Sequence, residues 1–127
     1  MVNNNTNKYA NVEELPVWQK AHEFTLLIYK HSSVFPSSEV YGLTSQIRRS
    51  TSSIPANISE GFYRKSTKEL IQFIYNARGS LGETLYHIRL AKDLKYLDEK
   101  TFLLLRSEAE DISKQMNGWL KSLKSKL

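Results

Sequence analysis

Apolar residues recur every three or four positions along nearly the whole chain, and no segment alternates at period two as a half-buried strand does. The first periodic run begins at Pro16, where a first-turn proline lacks only an N–H that has no helical acceptor. Val17, Trp18, Ala21, Phe24, Thr25, Ile28 and Ser32 then share one face, Leu26 and Leu27 flank it, and Lys20, Glu23 and Lys30 lie off it. Phe35-Pro36 stops the run, because the residue before a proline avoids the helical region. The pattern predicts a helix over about 16–34.

A second run places Val40, Leu43, Ile47, Ile54 and Ile58 on a core stripe. Ser37 or Ser38 is suited to cap it, with Glu39 at the positive end of the helix dipole. Pro55 falls inside this run and predicts a kink, not a break, with the hydroxyls of Ser50, Thr51, Ser52 and Ser53 available to freed carbonyls. Gly61 signals the end, giving a helix over about 38–62. The third run opens on Ser66-Thr67-Lys68-Glu69, the pattern of a capping box. Leu70, Phe73, Ile74, Ala77, Leu81, Leu85, Ile88 and Lys92 form its stripe, and a helix over about 67–95 follows. Asp98 caps the fourth, over about 99–125, whose stripe is Phe102, Leu105, Ala109, Ile112, Met116, Trp119, Leu120, Leu123 and Leu127.

Four amphipathic helices joined by short turns predict an all-α fold, an antiparallel up-down four-helix bundle over 15–127, with an Asn-rich disordered tail over 1–14. Two faces are left over. The back of the third helix carries Tyr75, Gly79, Gly82, Tyr86 and Leu90, and the back of the second carries Ser45, Ser52 and Ala56. A helix apolar on both faces is normally buried on both. Glycine inside a helix costs about 1 kcal/mol against alanine, which close packing offsets. These eight residues are the expected contacts of a homo-oligomer.

Composition narrows the chemistry. The 127 residues contain no cysteine, which removes disulfides and thiolate metal sites, and the longest apolar runs are far shorter than the roughly 20 residues of a membrane span. No apolar leader opens the chain, and a soluble cytoplasmic protein without membrane contact is expected. His22, His31 and His87 sit in no catalytic pattern. Glu83 and His87 share a helix side, yet the Glu-x-x-His pairs of carboxylate di-metal bundles are absent, so a helical salt bridge is the better reading. Gly79-Ser80-Leu81-Gly82 is mid-helix and unsuited to cradling phosphate. No enzyme activity, metal or cofactor is expected.

The formal net charge of +5 is compatible with a polyanion partner. Arg48, Arg49, Arg64, Lys65 and Lys68 follow one another through the second helix and the next turn, with the ring of Tyr63 beside them for stacking on a base. Lys121 and Lys124 lie in a lysine-rich C-terminus that no acid after Asp111 balances. These seven cations are the candidate nucleic-acid contacts. Two other readings remain: Arg49 pairing with Glu60 or Glu83 of a neighbouring subunit, and C-terminal lysines that match the helix dipole.

VWQKAHEFTLLIY, FPSSEVYGLTSQIRRSTSSIPANISEGFYRKSTKE and ARGSLGE together resemble the four-helix-bundle proteins encoded in intervening sequences of bacterial 23S ribosomal RNA genes, also labelled the S23 ribosomal protein family. The resemblance runs from about Leu15 to Leu123, and its motif falls here at Gln46, Arg48, Arg49, Asn57, Glu60, Gly61, Arg64 and Lys68. Ser50 and Ser59 stand where it leads one to expect alanine. Relatives include the accessory protein of diversity-generating retroelements, a basic homopentamer that binds nucleic acid and a reverse transcriptase. The resemblance therefore implies a non-enzymatic bundle, a pentamer, with RNA or another nucleic acid as partner; it implies no ribosomal role. The competing expectation is a protein–protein adaptor, for example accessory to a polymerase, with no direct nucleic-acid contact.

Overall fold

The computed structural model describes residues 8–127. The expected tail over 1–14 lies outside the described residues up to position 7. Beyond that it is packed: Asn11 caps a 3-10 turn at Val12–Glu14, Val12 is buried, and its N–H donates to the Tyr63 hydroxyl at 3.2 Å. Four helices follow: α1 (Pro16–Ser32), α2 (Leu43–Phe62), α3 (Thr67–Asp93) and α4 (Glu99–Lys124). No strand occurs among the described residues, and no helix there is long and apolar enough to cross a membrane.

Each helix packs against its neighbours in sequence, and α1 closes the ring against α4. The result is an up-down four-helix bundle. One end gathers the start of α1, the α2–α3 turn and the end of α4; the other gathers the α1–α2 and α3–α4 loops.

The periodic stripes form the core, with Phe24, Ile28, Ile47, Ile54, Ile58, Leu70, Ile74, Leu81, Ile88, Leu105, Ile112 and Met116 all fully buried. Ile71, Thr84 and Ala91 are buried as well, because α3 lies between α2 and α4 and buries a wider arc than one stripe. Val40 and Leu127 depart from their assigned stripes and are 55% and 70% exposed. Val40 lies outside the helix altogether: Ser37–Glu39 form a 3-10 turn, and α2 begins five residues later than the expected 38. Neither serine caps it. The Glu39 carboxylate instead accepts from the Leu43 N–H at 2.9 Å and from the Tyr96 hydroxyl at 2.8 Å, joining the two loops of this end. Those two donors, the backbone amide foremost, hold its pKa below the usual glutamate range.

The third helix stops at Asp93, short of the expected 95. Lys95 adopts φ 68°, a left-handed conformation that glycine usually fills, and the Tyr96 N–H reaches back to the Ala91 carbonyl at 2.8 Å. This is a Schellman ending without its glycine, so composition gave no signal for it. The capping box at Ser66 forms as expected, with the Glu69 N–H donating to the Ser66 hydroxyl at 3.1 Å.

α2 runs unbroken through Pro55. The hydroxyls before it donate to the carbonyls of Ile47 and Arg49, not to that of Thr51, the one Pro55 cannot serve. Ser50 and Ser59, at positions where the resemblance leads one to expect alanine, both make cross-helix hydrogen bonds. Ser50 meets the buried Thr84 hydroxyl at 2.8 Å, and Ser59 accepts from the Trp18 indole at 2.9 Å.

α2 and α3 approach closely at Gly61. A Cβ there would lie 2.8 Å from the Phe73 Cβ and 3.0 Å from the Leu70 Cδ1. Overpacking of this kind costs about 1–3 kcal/mol. Gly61→Ala is therefore expected to lower the urea unfolding free energy by about that amount, and unchanged stability would refute the close approach.

Candidate nucleic-acid interface

The seven candidate cations fall into two groups by what they already hold. Arg48, half-buried on α2, donates through Nε to the Ser32 hydroxyl at 2.8 Å and through Nη2 to the Tyr29 carbonyl at 3.2 Å. Its guanidinium lies 4.6 Å from the Tyr29 ring centroid. It ties α1 to α2 and faces the loop end. Arg64 pairs with Glu60 at 2.7 Å and Glu69 at 3.8 Å while stacking over Phe73 at 4.7 Å, which fastens the α2–α3 turn. Lys124 donates to the Tyr75 hydroxyl at 2.9 Å. Arg49, Lys65, Lys68 and Lys121 are exposed and form no ion pair with a described residue.

Carboxylates are distributed otherwise. Every acid on α2, α3 and α4 but Glu83 pairs with a Lys or Arg: Glu60 and Glu69 with Arg64, Asp93 with Arg89, Glu99 with Lys92, Glu110 with Arg106, and Glu108 and Asp111 with Lys20, while Glu83 hydrogen-bonds the His87 ring. Asp98 caps α4, accepting from the Thr101 N–H, which lowers its pKa. Acidic charge on these three helices is thus engaged within the fold, whereas Glu13, Glu14 and Glu23, before and on α1, are exposed and form no ion pair among the described residues.

The cations converge where α3 meets α4 near the turn end. A groove of about 360 Å³ is lined by Tyr75, Arg78, Asn117, Leu120, Lys121 and Lys124, with no carboxylate among them. Arg78 donates to the Asn117 side chain at 3.1 Å and lies 4.9 Å from the Tyr75 ring centroid, with the Lys124 ammonium at 5.6 Å from the same ring. The hydrogen bond from Lys124, more than either charge, lowers the Tyr75 pKa below the usual phenol value. Lys68 sits two turns before Tyr75 on the same face of α3, and Lys65 lies just beyond in the turn. At 1.5 Å per residue, Lys68 and Arg78 are about 15 Å apart along the helix, the span of several phosphates.

Arg78 and Asn117 were not among the expected contacts. Their signal is tertiary: only the register of α3 against α4 brings them to Lys121 and Lys124. Tyr75, expected at a subunit contact, stands in this groove. The other expected subunit contacts lie along the backs of α2 and α3. Ala56, Gly79, Gly82 and Tyr86 are exposed, while Ser45, Ser52 and Leu90 are half-buried. A Cβ built on Gly79 or Gly82 meets nothing within 4 Å. Among the described residues, no group of three or more His, Cys, Asp or Glu side chains could hold a metal ion.

Residues 13–118 match the model of the 23S rRNA-intervening sequence protein family. The chain belongs to that family. The match spans all of α1, α2 and α3 and ends inside α4, so it covers the positions of Lys65, Lys68 and Arg78 and stops before Lys121 and Lys124. The fold is similar to the crystal structure of a protein of unknown function from the S23 ribosomal protein family of Bacteroides thetaiotaomicron. The TM-score is 0.73 at 23% identity, over 80% of this chain and 95% of that one. A comparison with curated proteins gives no match. Family membership and shared fold leave the reading of function to the site itself.

Proposed function

We propose that this 23S rRNA-intervening sequence family member is a non-enzymatic, homo-oligomeric bundle that binds RNA or another nucleic acid through the turn end of each subunit. The convergence of Arg78, Lys121 and Lys124 on the Tyr75 ring, in a groove without a carboxylate, carries the reading. Cations neutralise successive phosphates, and the ring offers a stacking surface to an unpaired base. Lys65 and Lys68 extend the track around the end of α3. Arg64 is occupied by fold contacts and contributes charge more than direct bonds, and Arg48, at the loop end, lies away from this surface. Arg49 lies in the first half of α2, outside this groove. Without a base-reading element in view, recognition would follow backbone charge and strand flexibility more than sequence.

The oligomer is part of the same proposal. Two exposed glycines in α3 have no packing reason inside the subunit, and Tyr86 is 60% exposed beside them on the same face. A second copy laid against this face would give them one. The pentamer number rests on the family resemblance alone. An adaptor that meets a polymerase or another protein without touching nucleic acid is the alternative, favoured if charge reversal in the groove leaves RNA binding unaltered.

Fluorescence anisotropy of a labelled structured RNA across about 50–200 mM salt tests the interface. Binding is expected to weaken with a linear log–log slope, and Lys65→Glu with Lys121→Glu to cut affinity at least about tenfold and shallow the slope by about one per lost contact. A salt-insensitive or variant-insensitive affinity would overturn it. For assembly, Gly79→Leu with Gly82→Leu is expected to preserve the helical circular dichroism while reducing the mass measured by light scattering to that of one subunit. Unchanged mass would remove this face from the interface.

A further inference from the structure

The opposite end of the bundle holds a second cationic feature of different character. A surface groove of about 460 Å³ between the end of α1 and the start of α2 is lined by Ser32, Phe35, Pro36, Val40, Thr44 and Arg48, with Ser33 and Ser37 at its margin. Arg48 is half-buried there, yet its only acceptors are neutral: the Ser32 hydroxyl, the Tyr29 carbonyl and the face of the Tyr29 ring. No described carboxylate pairs with it. A guanidinium drawn partly out of water normally acquires an anion, and here the protein supplies none. Apolar surface continues past the groove, where Val34 is 75% and Tyr41 94% exposed beside Val40 at 55%.

We propose that this groove docks a short acidic–apolar peptide segment of a different protein, its carboxylate on Arg48 and its apolar side chains on Pro36, Val40 and the adjoining Tyr41. Charge complementarity selects the carboxylate, and the apolar walls select against a bare phosphate backbone. The extent of exposed Val34, Val40 and Tyr41 exceeds what a small anion would cover and fits a peptide lying along the loop. In a second copy of this chain, Glu13 and Glu23 are exposed acids with no ion pair among the described residues, so self-association through this groove is the rival outcome, and a loss of oligomer mass in Val40→Asp would overturn the proposal in its favour. The hydroxyls of Ser32 and Thr44 add hydrogen-bonding capacity beside the guanidinium. The site is separate from the α3–α4 groove, so one subunit would hold nucleic acid at one end and a protein at the other.

Selection of a displayed random-octapeptide library on the full-length protein tests this. Enriched peptides are expected to place Asp or Glu next to Leu, Phe or Trp. Synthetic copies should bind at least tenfold more weakly when the acid is replaced by its amide. Val40→Asp, at an exposed position that leaves the fold intact, is expected to cut affinity tenfold or more by repelling the carboxylate. Arg48→Met should do the same, while Arg48→Lys retains part of the binding. Lys121→Glu, at the other end, should leave peptide affinity unaltered. Enrichment without acids, binding indifferent to Val40→Asp, or displacement of the peptide by single-stranded RNA would each overturn the proposal.

Discussion

The close seam between α2 and α3 is the constraint on which the rest depends. At its turn end, Gly61 lets the two helices meet at a distance that even a methyl group would disturb, against Leu70 and Phe73. Further along, the Ser50 and Thr84 hydroxyls bond each other inside the seam at 2.8 Å, a buried polar contact that only one register satisfies. With that register set, Arg64 reaches both Glu60 and Glu69 across the turn, and Lys65 and Lys68 are left facing outward. α3 then meets α4 so that Tyr75 and Arg78 stand opposite Asn117 and Lys124. A glycine without a side chain and a pair of hydroxyls thereby decide where the cations go.

The second organising fact is how charge is distributed. A net charge of +5 is modest for a polyanion-binding chain of this size. The structure makes it more effective at the α3–α4 groove than its magnitude implies, because the acids of α2, α3 and α4 are engaged by neighbouring side chains and no carboxylate lines that groove. Exposed ion pairs of this kind contribute little to stability, typically under about 1 kcal/mol each. Their larger consequence is the field they leave behind, since the unpaired cations dominate at the turn end and their potential extends about a Debye length, near 8 Å at physiological salt. Arg48 follows a different rule. It is held by neutral acceptors at the loop end, so its charge is left there without a carboxylate from the described residues.

Much of the fold was legible because helical periodicity and capping are local. The stripes through Phe24, Ile58, Ile74 and Met116, the proline start at Pro16 and the capping box at Ser66 all follow from residues within a few turns of one another. The misplaced features depend on distant partners. The late start of α2 follows from the Glu39 carboxylate accepting from Leu43 and from Tyr96 in the α3–α4 loop, distant in sequence, and no periodicity in the segment discloses that. The end of α3 rests on a lysine in a left-handed conformation, where the usual glycine is missing. For the candidate site, basic residues were visible as types but not as a surface. Arg48 and Arg64 read like Lys65 in sequence, and only packing shows them engaged with Tyr29, Ser32, Glu60 and Phe73. Arg78 and Asn117 escaped notice because their partners are on another helix.

The central claim is that charge left unpaired by the fold makes the turn end, and not the loop end, the nucleic-acid surface. Backbone amide NMR of the labelled protein, titrated with a short single-stranded RNA, tests it most directly. The account predicts saturable shifts clustered at Lys65, Lys68, Tyr75, Arg78 and Lys121, with Val40 to Arg48 unmoved. Shifts centred on Val40 to Arg48, or none anywhere at low salt, would contradict it.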